Sequence, residues 1–265
     1  MDLWLLGYLA IGAGVGFLAG MLGIGGGALQ IPFLVWLFEG QGLPRDHVVH
    51  LAVGTGMATI LFTSLSSARA HAARSAVRWD IVKSMTPGIL VGGLVGSLIA
   101  SSLPTLVFAV LFVATVYAAG LNMLFERQPN PSRTLPGPAG LFAAGAVISG
   151  VSAFAAVGGA FMTVPFMMWC NVPMIHAIGT AAAIGFPIAA AATVGYVAGG
   201  WGVPGLPAWS LGYVYLPALV GVTIASMAVA PLGVMVAHRT STRVLRKVFA
   251  VLFFVLATRM LAGLW

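Results

Sequence analysis

The chain has 265 residues, of which 60% are hydrophobic and only 6% charged, and its mean hydropathy is +1.05. A soluble globular domain carries about 25% charged residues, so this composition excludes one and describes a polytopic helical membrane protein. The formal charge is +7, but the basic residues sit in short loops between apolar segments, which is a positive-inside pattern and not a nucleic-acid footprint.

The N-terminus, Met1-Asp2-Leu3-Trp4, has no basic n-region and no clear cleavage site follows it, so the first segment is expected to belong to the mature fold. That segment, 3–38, is too long for one crossing of about 20 apolar residues and too short for two. Its middle reads Gly23-Ile24-Gly25-Gly26-Gly27 and the run closes on Pro32. Each glycine weakens a helix interior by roughly 1 kcal/mol relative to alanine, so the cluster predicts a break. Unwound backbone at membrane depth is tolerated only where protein or a polar cavity surrounds it. A span over 48–68 follows, then a basic loop with Arg69, His71, Arg74, Arg78 and Lys83. Spans over 84–100 and 105–125 are joined by the uncharged turn Ser101-Ser102-Leu103-Pro104. The polar, Pro-rich joint from Glu126 to Arg133 divides the chain into 1–128 and 129–265.

The second half has the same plan. Segment 138–169 is again over-long and broken at Val157-Gly158-Gly159, ahead of Pro165. A span over 174–198 leads to 199–211, an uncharged stretch with Trp201 and Trp209 that reads as an interfacial loop with aromatic anchors. Spans over 212–237 and 248–264 enclose a second basic group, His238, Arg239, Arg243, Arg246 and Lys247. Ala52-Val53-Gly54-Thr55 aligns with Ala177-Ile178-Gly179-Thr180, Trp79 and Pro87 with Trp209 and Pro217, and Val107–Phe112 with Val248–Phe253. The common order points to duplication.

Charge parity sets the topology. Both basic loops belong in the cytoplasm, and the joint at 126–133, with Arg127 and Arg133, lies there too. Three full crossings cannot connect two cytoplasmic loops, so segment 138–169 must enter and leave by one face. Two half-helices of about 14 residues, at 1.5 Å per residue, would meet near the midplane. The expected fold is all-α: two inverted repeats, each a glycine-broken re-entrant hairpin plus three transmembrane helices, about eight apolar elements in all, with both termini outside.

Discontinuous helices at mid-membrane in inverted repeats are a design of secondary transporters. Helix N-termini at the breaks offer free N–H groups and partial positive charge to an anion. The backbone of Gly25, Gly26, Gly27, Gly158, Gly159 and Ala160 is therefore the candidate substrate site, with Gln30 and Thr163 as side-chain donors one turn on. The alternative use of such glycines is close helix packing, the reading that suits the isolated Gly92, Gly96 and Gly221. Thr55 and Thr180 either line the same cavity or bond back within their helices. His50 and His176, at the entrances of their spans, are candidate coupling groups or interfacial histidines. Cys170, the one cysteine, reads as a packing residue. Asp2, Glu39, Asp46, Asp80 and Glu126 all lie at termini or in loops, which disfavours a cation pump and a carboxylate relay. HExxH, GxSxG and Walker-type motifs are absent, so no enzyme activity, cofactor or metal is expected.

At the glycine-rich break 23–32, its weaker copy 157–165 and the two Ala-x-Gly-Thr starts, the chain resembles the sulfite exporter TauE/SafE family of bacterial permeases. The resemblance spans essentially the whole chain. It implies a multi-pass protein of the bacterial inner membrane that moves sulfite, thiosulfate, sulfoacetate or another organosulfonate. Ala156 and Ala160 stand where that pattern has glycine, which implies a tighter or less donating second half-site. The expected function is a secondary transporter for a small sulfur-containing anion, with a channel-like anion conductor or a non-transporting scaffold subunit as alternatives. The expected partners are the anion and the lipid bilayer, with a homodimer left open and no nucleic acid.

Overall fold

The structure, a computed structural model, describes residues 2–22, 27–125, 132–156, 159–237 and 242–263. Among them ten helices carry the fold: α1 (Asp2–Leu22), α2 (Gly27–Gly40), α3 (Val48–Ala72), α4 (Trp79–Ser102), α5 (Thr105–Phe125), α6 (Pro138–Ala155), α7 (Ala160–Trp169), α8 (Met174–Gly199), α9 (Leu216–Ala237) and α10 (Thr242–Gly263). Six helices are long and apolar enough to cross a membrane, α6 among them. Among the described residues strand is confined to a two-residue pair, β1 (Ser210–Leu211) and β2 (Val214–Tyr215), antiparallel with Ser210 opposite Tyr215. This small hairpin replaces part of the irregular loop expected over 199–211. Its turn needs Gly212, at φ +56°, because a Cβ there would run into the carbonyl of Val197 on α8.

Both over-long segments fold back on themselves. Gly7 faces Leu37 and Gly40 faces Trp4 across α1 and α2, and Gln41 donates to the Tyr8 hydroxyl at 2.6 Å. The start of α1 thus lies beside the end of α2. At the other hairpin, the Ser132 and Arg133 amides donate to the Trp169 carbonyl at 3.3 and 3.2 Å, so the chain entering α6 meets the chain leaving α7. The limbs are unequal, which corrects the expectation of two half-helices of about 14 residues. α1 and α6 have 21 and 18 residues, whereas α2 and α7 have 14 and 10. The first limbs run further because each packs along a complete span of the other half.

That packing uses small residues at one-turn spacing. Gly88, Gly92 and Gly96 of α4 abut the backbones of Phe142, Ala146 and Gly150 on α6. Gly12 and Gly16 of α1 abut Val222 and Ser226 on α9 in the same parallel sense. The glycines at 92 and 96 therefore serve helix packing, and Gly221 does so against Tyr8. Among the described residues the most extensive helix contacts are these two reciprocal pairs, α1 with α9 and α6 with α4, followed by α4 with α8 and α3 with α8. A two-fold relation between the halves generates such an exchange.

The contacts also fix the two ends of the bundle. Glu39, His47, Leu103, Tyr213 and Gly263 surround one cavity, which collects the mouth of the α1–α2 hairpin, the α4–α5 turn and the end of α10. At the opposite end His176 reaches the Ala76 carbonyl, 3.3 Å away, beside the mouth of the α6–α7 hairpin. The two hairpins therefore open at opposite ends, as inverted repeats require. Exposed Arg69, Arg74, Lys83 and Arg133 gather at the second end. Cys170 is buried, and burial pushes its thiol up, so it is a quiet background for labelling. Single cysteines placed at Ser132 and at Trp201, both exposed, are expected to react with an impermeant maleimide from opposite sides of the membrane. Labelling of both from one side would contradict the inversion.

Candidate functional site

The two helix breaks meet. A Cβ on Gly27, the first residue of α2, would collide with the carbonyl of Ala156, which ends α6 in a left-handed conformation at φ +44°. The same position touches Ile60, near the middle of α3. Gly159, at φ +56°, caps α7 and packs against Ile188, well inside α8. The tips thus sit at mid-depth, held by the two central spans. Gly25, Gly26 and Gly158 lie outside the described residues, so of the backbone site only Gly27, Gly159 and Ala160 are placed, with the break residue Ala156 between them.

The side chains have distinct fates. Gln30 is 2% exposed and its amide Nε2, a donor, has no hydrogen-bond partner; it packs towards Gly56 of α3. An unpaired buried donor costs about 1–3 kcal/mol. Thr163 is equally buried, but its hydroxyl donates back to the Gly159 carbonyl at 2.7 Å. That carbonyl also receives the amides of Met162 and Thr163, at 3.1 and 2.9 Å. The Gly159 carbonyl and the Thr163 hydroxyl are therefore satisfied within α7, and among the described side chains at the tips the Gln30 amide is the free donor.

Thr55 and Thr180 do something the sequence did not suggest. The Thr55 hydroxyl accepts the amide of Tyr215, the residue before α9, at 2.9 Å. The Thr180 hydroxyl accepts the amide of Arg78, the residue before α4, also at 2.9 Å. Gly54 and Gly179 let the Tyr213 and Ala76 carbonyls approach, each two residues upstream of the amide that the threonine binds. Each Gly-Thr pair therefore seats the entry strand of a span from the other repeat. The recurrence of Ala-x-Gly-Thr was the available signal; its partner could not be read without the fold. Tyr196 was missed as well. Fully buried on α8, it donates to the Ala153 carbonyl at 2.8 Å and so satisfies an acceptor near the tip of α6.

The two histidines separate. His176 lies at the basic end with Nδ1 near the Ala76 carbonyl. His50 is 2% exposed and lines the cavity at the opposite end, about 650 Å³ in volume, together with Glu39, Arg45, Asp46, His47 and Tyr213. No group of three or more His, Cys, Asp or Glu among the described residues is arranged to hold a metal ion.

Two opposed helix hairpins among long apolar helices define a multi-pass helical membrane protein with a discontinuous-helix core. The sulfite exporter TauE/SafE family model matches residues 8–260, and the chain belongs to that family. It is 31% identical to a "probable membrane transporter protein" of Haemophilus influenzae, over 95% of this chain and 96% of the relative. A protein of the same description in Methanocaldococcus jannaschii is 24% identical, over 90% and 88% of the two chains. One from Bacillus subtilis is 26% identical, over 71% and 76%. No solved structure matches the chain significantly. Family and relatives together support a membrane transporter.

Replacing Thr55 or Thr180 by Val leaves a partly buried amide without its acceptor, at a cost of about 1 kcal/mol. Each Val variant of the detergent-purified protein is expected to melt several degrees below the parent, whereas the Ser variants stay close to it. Equal melting of Val and Ser forms would remove the seating role.

Proposed function

We propose that the protein is a secondary transporter for a small sulfur-containing anion, such as sulfite, thiosulfate, sulfoacetate or another organosulfonate, in a bacterial inner membrane. The observation that carries the reading is the contact of two helix breaks at mid-depth beside an unpaired, buried amide donor, Gln30. An oxyanion accepts hydrogen bonds and donates none, so it complements amide N–H groups and the Gln30 Nε2 together. The start of α2 adds its partial positive charge. The acidic residues of the described helices support the anion reading: Asp2, Glu39 and Asp80 lie in terminal turns and not near the tips.

In the conformation described, Gly27 and Ala156 close on each other. Admitting a ligand requires the tips to part. Because α1 packs on α9 and α6 on α4, each hairpin moves with a span of the opposite repeat. Alternating access is then relative movement of two mixed bodies across α3 and α8. The positive-inside rule places the basic end in the cytoplasm.

Purified protein in proteoliposomes is expected to carry radiolabelled thiosulfate or a sulfonate with saturable kinetics. Gly27→Val and Gly159→Val, which drive side chains into the Ala156 carbonyl and Ile188, are expected to reduce flux at least tenfold. Gln30→Leu, similar in size but without a donor, is expected to raise KM more than it lowers the maximal rate, since it removes a binding contact and leaves the tips intact. Unimpaired flux in both glycine variants would reject the site. Large non-saturating flux would favour a channel.

A further inference from the structure

The cavity at the end opposite the basic loops contains a hydrogen-bond arrangement that a transported anion does not explain. His50 projects from the first turns of α3 between the rings of Phe108 and Tyr213, with both centroids 4.9 Å away. Its Nε2 lies 3.1 Å from the Leu103 carbonyl. A carbonyl only accepts, so Nε2 carries a proton. Its Nδ1 faces the Thr105 hydroxyl at 3.5 Å, and that hydroxyl donates to the Asp46 carbonyl. With its single hydrogen committed there, Thr105 presents only lone pairs to Nδ1. In the neutral ring Nδ1 is bare and faces another lone pair. The alternative is to turn the hydroxyl hydrogen to Nδ1, which releases the Asp46 carbonyl. A second proton on the ring removes the conflict, because Nδ1 then donates to Thr105 while Thr105 still donates to Asp46. The flanking aromatic faces also suit a cationic ring.

The other ionisable groups facing His50 are Glu39 at the end of α2, Arg45, Asp46 and His47 on the segment leading to α3, and Tyr213 on the β-turn. The described residues of α4 and α5 that border the cavity, Ser101 to Leu106, carry none. The cavity is open to solvent water, so a proton can arrive without crossing the core. His50 is also linked mechanically to the site. It stands six residues before Gly56, the neighbour of Gln30, a rise of about 9 Å along one helix. Its stacking partner Tyr213 carries the carbonyl seated at Gly54, and Tyr215 beyond it is held by Thr55 at the entry to α9. α9 in turn packs along α1.

We propose that His50 is the proton-binding residue of a proton–anion symport, taking up one proton from this cavity for each anion moved. The proposal rests on the transport reading above. Uptake of the proton lets an anion cross with no net charge when the anion is monovalent. Protonation is transmitted through Tyr213 to the entry of α9 and through α3 to the neighbour of Gln30.

The test uses ethanesulfonate and thiosulfate, which stay deprotonated over the working range and cannot carry protons themselves. Parent protein in vesicles one pH unit more alkaline inside is expected to accumulate ethanesulfonate about tenfold, since one unit is a tenfold ratio per proton. An outward anion gradient is expected to acidify the external medium. His50→Gln is expected to keep flux down the anion's own gradient within a few-fold of the parent, and to lose both the accumulation and the acidification. Should His50→Gln fold poorly, Thr105→Val retains the imidazole but removes the acceptor for Nδ1, and accumulation is expected to fall at least threefold. Anion flux in the parent without proton movement, or proton-driven accumulation retained in both variants, would overturn the assignment of His50 while leaving the transport reading intact. Absence of any flux of either anion in the parent would overturn both.

Discussion

A helix interrupted inside hydrocarbon leaves amides and carbonyls that only protein or a polar guest can satisfy, and the fold is arranged around that constraint. Each break is braced by the long span that follows it, at Ile60 for Gly27 and at Ile188 for Gly159. Carbonyls near the tips are taken up locally: Gly159 by the first turn of α7, and Ala153 by Tyr196. Among the described side chains at the tips, the Gln30 amide is left without a partner.

The halves are tied together by exchange. The glycine ladder of α4 holds the first limb of the second hairpin, and the glycines of α1 lie on α9. Thr55 and Thr180 repeat the exchange at the chain entries, each accepting an amide from the strand that leads into a span of the other repeat. Each hairpin is thus packed on a span from the other half, α1 on α9 and α6 on α4.

Much of the architecture was legible because hydrophobic length, glycine clustering and loop charge are local signals. Two breaks, two re-entrant hairpins and six further spans follow from 3–38, 138–169 and the placement of Arg69, Arg74 and Arg133. The unequal limbs were not legible, since their length depends on which helix each packs against. The role of Thr55 and Thr180 was hidden for the same reason: a hydroxyl near a glycine predicts a polar contact but not the amides of Tyr215 and Arg78 as partners. Gln30 and Thr163 looked equivalent by position. Local hydrogen bonding separates them, because Thr163 can reach its own helix's Gly159 carbonyl, while the longer Gln30 side chain packs towards α3 and finds no partner.

An anion held between the two tips would be seen in a crystal structure of the protein soaked with 2-bromoethanesulfonate, with the bromine located by anomalous scattering. One peak per chain is expected within a few ångströms of Gly27, Gln30 and Ala156 at mid-depth. A peak confined to the cavity lined by Arg45, His47 and Tyr213, with the tips still in contact, would contradict it.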